Sequence, residues 1–248
     1  MVNLDDKVVV VTGASSGIGA ALAQAFSKKG AKVVLTARRL DRLEKTAAGC
    51  PGETLIVSAD LVEGAHREAL VGQVLDRWGR IDILMSNAGL GMYGDFATST
   101  EDQWRQLFEI NLFSVVFLTQ AVLPVMKAQK QGLIVNTASI GGLMAHSQHV
   151  TPYVASKHAL VGFSRGLAKD LEGTGIKVLA ACPHLTDTEF FKASPGAEEM
   201  APQVEKYRTF MDTPGDVADG ILNQLDSERV VVFPTEKPSR AYEKQRDL

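Results

Sequence analysis

Tyr153 and Lys157 stand four apart in "TPYVASKHAL" (151–160). On a helix that spacing is little more than one turn, so both side chains share a face. A phenol beside an ammonium is a proton-transfer pair. Free tyrosine, with a pKa near 10, is a poor base at neutral pH, and a cation held close favours its phenolate. The spacing alone also fits an aromatic ring packed on the core beside a lysine whose stem covers it. The rest of the chain has to decide between the two.

A second chemical signal lies near the N-terminus. "TGASSGIG" (12–19) follows a β-branched run, and its Gly13, Gly17 and Gly19 fit GxxxGxG. This pattern is related to the dinucleotide fingerprint, with one more residue between the first two glycines. Such a turn lets backbone N–H groups approach a pyrophosphate at the positive end of a helix. A P-loop would need Lys followed by Ser or Thr, and here Gly19 leads to Ala20. Further on, "TARRLDRLE" closes the second run. A domain that prefers NAD usually carries a carboxylate there for the ribose hydroxyls. This chain has Ala37, then Arg38 and Arg39. Two arginines at a helix N-terminus oppose the helix dipole, which a 2′-phosphate would relieve.

The elements that must position these groups are legible as an alternation. Apolar runs at 7–12, 32–36, 54–58, 82–86, 133–138, 176–182 and 229–233 read as strands covered on both faces. Helical spacing fills 17–29, 39–48, 64–78, 100–128 and 153–172. The alternation predicts one α/β domain spanning 1–248, a doubly wound (Rossmann-like) parallel sheet of about seven strands. Ligands would sit at the strands' C-terminal ends. The segment after the sixth strand, about 184–212, reads as an irregular insertion and a substrate lid.

Composition narrows the function classes. A net charge of −3 argues against a general nucleic-acid binder. Cys50 and Cys182 form neither a metal nor a redox spacing. The start "MVNLDDKVVVV" has aspartates where a signal peptide needs positive charge, and "INLFSVVFLTQAVLPVM" is interrupted by polar residues and Pro124. The reading is a cytoplasmic protein without a membrane span.

Taken in order, the motifs resemble the short-chain dehydrogenase/reductase family, in its form of about 250 residues, along essentially the whole chain. Those motifs are TGASSGIG (12–19), Asp60 after the third strand, "NAG" (87–89) after the fourth, and Asn111 in the long helix. Ser139 after the fifth strand and Tyr153-x-x-x-Lys157 complete the set. The resemblance implies a nicotinamide-dependent oxidoreductase with Asn111, Ser139, Tyr153 and Lys157 as catalytic tetrad. It implies that Asp60, followed by Leu61, contacts the adenine and that Asn87, Ala88 and Gly89 line the cofactor cleft. Gly13, Ser15, Ser16, Gly17, Ile18 and Gly19 would hold the pyrophosphate, and Pro183, Thr186 and Thr188 would lie by the nicotinamide. Arg38 and Arg39 would select NADP(H). Ser139 would hold the substrate oxygen, Asn111 a water, and Lys157 the nicotinamide ribose. Lowering the Tyr153 pKa to around 7 takes about 4 kcal/mol, within reach of Lys157 together with an oxidised nicotinamide. The expected reaction interconverts a carbonyl and a secondary alcohol on a small, partly apolar substrate. The family also implies a homo-tetramer or dimer. The rivals are a non-catalytic dinucleotide-binding regulator and a tetrad enzyme without net redox, such as an epimerase.

Two places depart from the family pattern. Pro183 is followed by His184 where the family usually has glycine, and a positive φ there would be costly. The interval from Ser139 to Tyr153 is one residue longer than the family usually has, and its "HSQH" (146–149) has too few supporting ligands for a metal.

Overall fold

The computed structural model describes residues 2–145 and 147–246. Seven strands form one parallel sheet: β1 (Val8–Thr12), β2 (Lys32–Ala37), β3 (Thr54–Ser58), β4 (Ile83–Ser86), β5 (Gly132–Thr137), β6 (Ile176–Ala181) and β7 (Val231–Val232). Their order is β3-β2-β1-β4-β5-β6-β7, so the direction of winding reverses between β1 and β4. A doubly wound parallel sheet opens a crevice at that switch point, beyond the carboxyl ends of the strands.

Both faces of the sheet are covered, which is why most of its strands are nearly continuous apolar runs. Alternate residues of β1 point to opposite layers. Val9 and Val11 join Leu22 and Phe26 of α1 (Gly17–Lys28) and Val217 and Ile221 of α8 (Pro214–Leu222). Val8 and Val10 join Leu70 and Val74 of α3 (Gly64–Trp78) and Leu118, Val122 and Met126 of α5 (Ser114–Gln129). The remaining helices are α2 (Leu40–Ala48), α4 (Glu101–Phe108), α6 (Thr151–Asp170), α7 (Ala197–Tyr207) and α9 (Glu236–Arg246).

Three expectations need correction. The helix read over 100–128 is two helices, α4 and α5, joined by a π-turn at Glu109–Phe113 that contains Asn111. A π-turn adds one residue to the helical circuit and re-aims the side chains it carries. The segment after β6 is not irregular throughout, because α7 occupies Ala197–Tyr207. Its Pro202 and the left-handed Gly196 (φ 76°) before it hid the helical period. α8 was missed although its start is well marked: Thr213 and Asp216 cap each other reciprocally and Pro214 opens the first turn.

The continuous run Glu101–Gln129 is, among the described residues, the only one long and apolar enough to cross a membrane. The π-turn interrupts it, and Val115, Leu118, Val122 and Met126 are buried in the protein.

Candidate active site

Four of the predicted site residues lie just beyond the carboxyl ends of strands. Gly13 follows β1, Arg38 follows β2, Asn87 follows β4 and Ser139 lies two residues past β5. Together they border a cleft of about 440 Å³ at the switch point.

Close approach dictates the glycines. A Cβ on Gly19 would lie 2.2 Å from the Gly13 carbonyl oxygen and 2.6 Å from Asn87 Nδ2. One on Gly13, whose φ is 65°, would lie 2.9 Å from Ala88 Cα. Gly17 leaves room for the Thr188 methyl, which a Cβ would meet at 3.0 Å. Thr12 ties the two loops together: its Oγ1 accepts from the N–H of Asn87 (2.8 Å) and of Ala88 (2.9 Å). Nothing in the residue pattern marked Thr12 for this role. Gly19→Ala must push the two loops apart, at a cost of about 1–3 kcal/mol. We expect nucleotide affinity to fall by about 5- to 150-fold, measured by titration calorimetry, with the fold retained by circular dichroism.

The α2 start carries Arg38 and Arg39. Arg39 donates from Nη2 to Ser15 Oγ (3.0 Å) and Ser16 Oγ (2.9 Å) and pairs with Glu189 at 3.6 Å. Arg38 is exposed, borders the cleft, and makes no ion pair among the described residues. Asp60 and Leu61 border the same end, and Arg67 steadies their loop by donating to the carbonyls of Leu61 and Val62.

At the other end, Tyr153 and Lys157 share a face of α6, whose first turn contains Pro152. The Lys157 ammonium is buried, 4% exposed, and lies 5.9 Å from the Tyr153 ring centroid. It donates to the Thr137 carbonyl at the end of β5 (2.9 Å). Burial pushes its pKa down to about 8, with Cys182 acting the other way. Burial likewise pushes the Tyr153 phenol up to about 12, against a hydrogen bond with Ser139. Without the oxidised nicotinamide the phenol is thus raised: removing it from water outweighs the Ser139 hydrogen bond. Ser139 Oγ also accepts from Gly141 N (3.0 Å), which fixes its rotamer.

Asn111 is fully buried and its amide is used inside the protein. Its Nδ2 donates to Leu90 O (2.8 Å) and Ser156 Oγ (3.0 Å), and its Oδ1 accepts from Leu90 N (2.7 Å). Ser156 in turn donates to Tyr153 O (2.8 Å). The π-turn thus fastens the loop after β4 to the first turn of α6. Gly19 and Asn111 do not border the cleft; the other predicted site residues do.

Pro183, His184, Thr186 and Thr188 line the cleft, and Thr186 is held in place by donating to His184 O (3.1 Å). His184 is not among the residues with positive φ, so its Cβ is accommodated without that strain. Phe190 packs edge-on against Tyr153 at 5.7 Å, and Phe191 bridges Phe190 and Tyr93. Of the apolar side chains on the surrounding loops, Leu90, Phe190 and Phe191 face the cleft, whereas Met92 is buried and Leu143 packs into the core beside Val115 and Leu160. Tyr93 was not anticipated; it lines the cleft, and burial, then Tyr153, raise its phenol above the usual range. Among the described residues no three His, Cys, Asp or Glu side chains gather as a metal site. His149 is exposed, and His146 lies outside the described residues.

A parallel sheet with a glycine turn at its switch point, and a buried tyrosine–lysine pair across the crevice, defines a dinucleotide-binding oxidoreductase scaffold. The short chain dehydrogenase pattern matches residues 7–199, and the chain belongs to that family of nicotinamide-dependent oxidoreductases. It is 38% identical over 192 residues to an uncharacterised oxidoreductase of Staphylococcus saprophyticus, covering 76% of this chain and 82% of that one. It is 36% identical over 192 residues to meso-2,3-butanediol dehydrogenase of Serratia marcescens, covering 77% of this chain and 76% of the relative. The fold superimposes with a TM-score of 0.90 on a short chain dehydrogenase/reductase of Burkholderia phymatum solved in complex with NAD, at 28% identity, covering 100% of this chain and 95% of the other.

Proposed function

We propose that this protein is an NADP(H)-dependent oxidoreductase that interconverts a carbonyl and a secondary alcohol, with Tyr153 as the proton-transfer group. The observation that carries the reading is the Tyr153–Lys157 pair: a phenol and an ammonium, on one helical face, bordering the same cleft as the glycine turn. The cofactor fits what the chain offers: the glycine turn, packed too closely on Asn87 and Ala88 to admit a Cβ, borders one continuous cleft with Arg38, Asp60 and Lys157. When bound, it supplies or accepts the hydride.

The chain's own residues do the rest. Gly13, Ser15, Ser16, Gly17 and Ile18 hold the pyrophosphate, Asp60 and Leu61 the adenine, and Asn87, Ala88 and Gly89 the middle of the cofactor. Ser139 fixes the substrate oxygen, and Tyr153 gives that oxygen its proton during reduction or removes it during oxidation. Lys157 holds the nicotinamide ribose and stabilises the phenolate left behind. Thr186 and Thr188 orient the carboxamide. Asn111 keeps the loop after β4 and the first turn of α6 in register. The segment from 184 to 212 acts as a lid, because Phe190 covers Tyr153 and Thr188 touches Gly17. Leu90, Phe190 and Phe191 favour a partly apolar substrate. A relative that bears the name of a butanediol dehydrogenase supports a small secondary alcohol or its ketone.

The pH dependence follows from the two buried groups. A phenol pushed up to about 12 is protonated at neutral pH, the form needed for reduction. Oxidation needs the phenolate, so its rate should rise with pH. Reduction should fall as Lys157, pushed down to about 8, loses its proton on the alkaline side. Rates measured in both directions across the neutral to alkaline range check this; an oxidation rate that falls as pH rises would contradict it.

The NADP(H) preference rests on Ala37 and Arg38. Ala37 offers no carboxylate to hold ribose hydroxyls or repel a phosphate, and the free Arg38 guanidinium can grip one through two hydrogen bonds. Hydrogen bonds to charged groups are worth about 1.5–3 kcal/mol, or roughly a 10- to 150-fold preference. Arg38→Ala should weaken NADPH by about that factor and leave NADH nearly untouched. Adding Ala37→Asp should turn the preference over. Dissociation constants of both cofactors on wild type and variants test the assignment, and equal wild-type affinities would defeat it.

A further inference from the structure

Three arginines gather where α2 begins: Arg38, Arg39 at the cap and Arg42 in the first turn. The positive end of the helix dipole makes that crowd unfavourable unless an anion joins it. An internal anion does. The carboxylate of Glu189, from the segment after β6, pairs with Arg42 and lies 3.6 Å from Arg39, a contact that closes over 147 residues of sequence in the first case. Arg39 uses its other terminal nitrogen on Ser15 and Ser16 of the glycine turn. The neighbouring Thr188 rests against Gly17. One guanidinium therefore ties together the glycine turn, the start of α2 and the segment from 188 to 190.

We infer that Glu189 is a specificity-determining latch: its carboxylate occupies Arg39 and Arg42, which would otherwise stand open beside Arg38 to a 2′-phosphate on the adenine ribose. The inference rests on the proposed binding of a nicotinamide dinucleotide in this cleft. A phosphate monoester carries about −1.5 to −2 charge at pH 7, so it and Glu189 repel each other across the same cations. The phosphate also matches the guanidinium fork with more acceptor oxygens than a carboxylate. A 2′-phosphorylated nucleotide displaces Glu189 from Arg39 and Arg42 and loosens the segment from 188 to 196. An unphosphorylated nucleotide leaves the latch closed. Glu189 therefore narrows the preference that Arg38 creates and makes the mobility of this segment depend on which cofactor is bound.

All three charges are partly exposed, with Glu189 at 52%, so the effect is modest. Titration calorimetry on wild type and Glu189→Gln, with NADPH, NADH and adenosine 2′,5′-bisphosphate, reads it directly. The variant should bind both 2′-phosphorylated ligands about 2- to 5-fold more tightly and NADH within about twofold of wild type. Limited trypsin digestion gives a second reading at Lys192, which is exposed. Cleavage of wild type should be faster with NADPH than with NADH, and the difference should vanish in Glu189→Gln. An unchanged or weakened affinity for NADPH in the variant, or an equal gain for NADH, overturns the latch. A wild type that binds neither dinucleotide instead brings down the cofactor reading on which the latch depends.

Discussion

Tyr153→Phe should lower turnover by about 10²- to 10⁴-fold while leaving NADPH affinity within about twofold of wild type. The substitution deletes one hydroxyl and keeps the ring, so the edge-on contact with Phe190 at 5.7 Å and the packing beneath the Lys157 ammonium survive. What disappears is the proton source for the developing alkoxide. Water is a poor substitute, because the ring is buried enough to push the phenol up to about 12. Ser139 is a poor replacement: a serine hydroxyl is a far weaker acid than a phenol, and its oxygen already accepts from Gly141 N. Nucleotide titration and steady-state rates on the same preparation separate the two effects. Loss of binding in parallel with turnover would assign Tyr153 to cofactor contact rather than to proton transfer.

Lys157→Ala should damage both functions. The ammonium lies 3.6 Å from where a Cβ on Gly89 would sit and donates to Thr137 O at 2.9 Å, so it faces the middle of the cleft from beneath. Removing its hydrogen bonds to the ribose should cost about 1.5–3 kcal/mol, or roughly 10- to 150-fold in cofactor affinity. Turnover at saturating cofactor should fall by a further factor of about 10² or more, because the phenolate loses its nearby cation. Thermal stability should change little, since the variant also relieves the burial of a charge that is reluctant enough to titrate at about 8. Lys157→Ala with wild-type affinity but no turnover would leave the lysine a purely electrostatic role.

The sheet was legible because a parallel strand covered on both faces tends to be a nearly continuous apolar run, as "KVVVVT" and "LIVNTA" are. The position of the site followed from it, since a glycine turn directly after β1 can only lie at the carboxyl edge. Contacts between distant segments were not legible. Thr12 clasping Asn87 and Ala88, and Glu189 reaching Arg42, join residues whose separation carries no period. The π-turn at Glu109–Phe113 was hidden because its neighbours continue the helical pattern on both sides. The burial that raises the Tyr153 phenol in the protein alone was not legible either, because it is a property of the assembled cleft. The strain feared at His184 does not arise, because the backbone there avoids positive φ.

The most direct test of the account is a panel of ketones and aldehydes offered with NADPH to wild type and Tyr153→Phe side by side, following loss of the reduced cofactor by absorbance. The account predicts carbonyl-dependent NADPH consumption by wild type, faster for partly apolar ketones than for small, highly charged ones and slower with NADH. It predicts near silence from the phenylalanine variant. Tight NADPH binding with no turnover across the panel, or undiminished turnover in Tyr153→Phe, would contradict it.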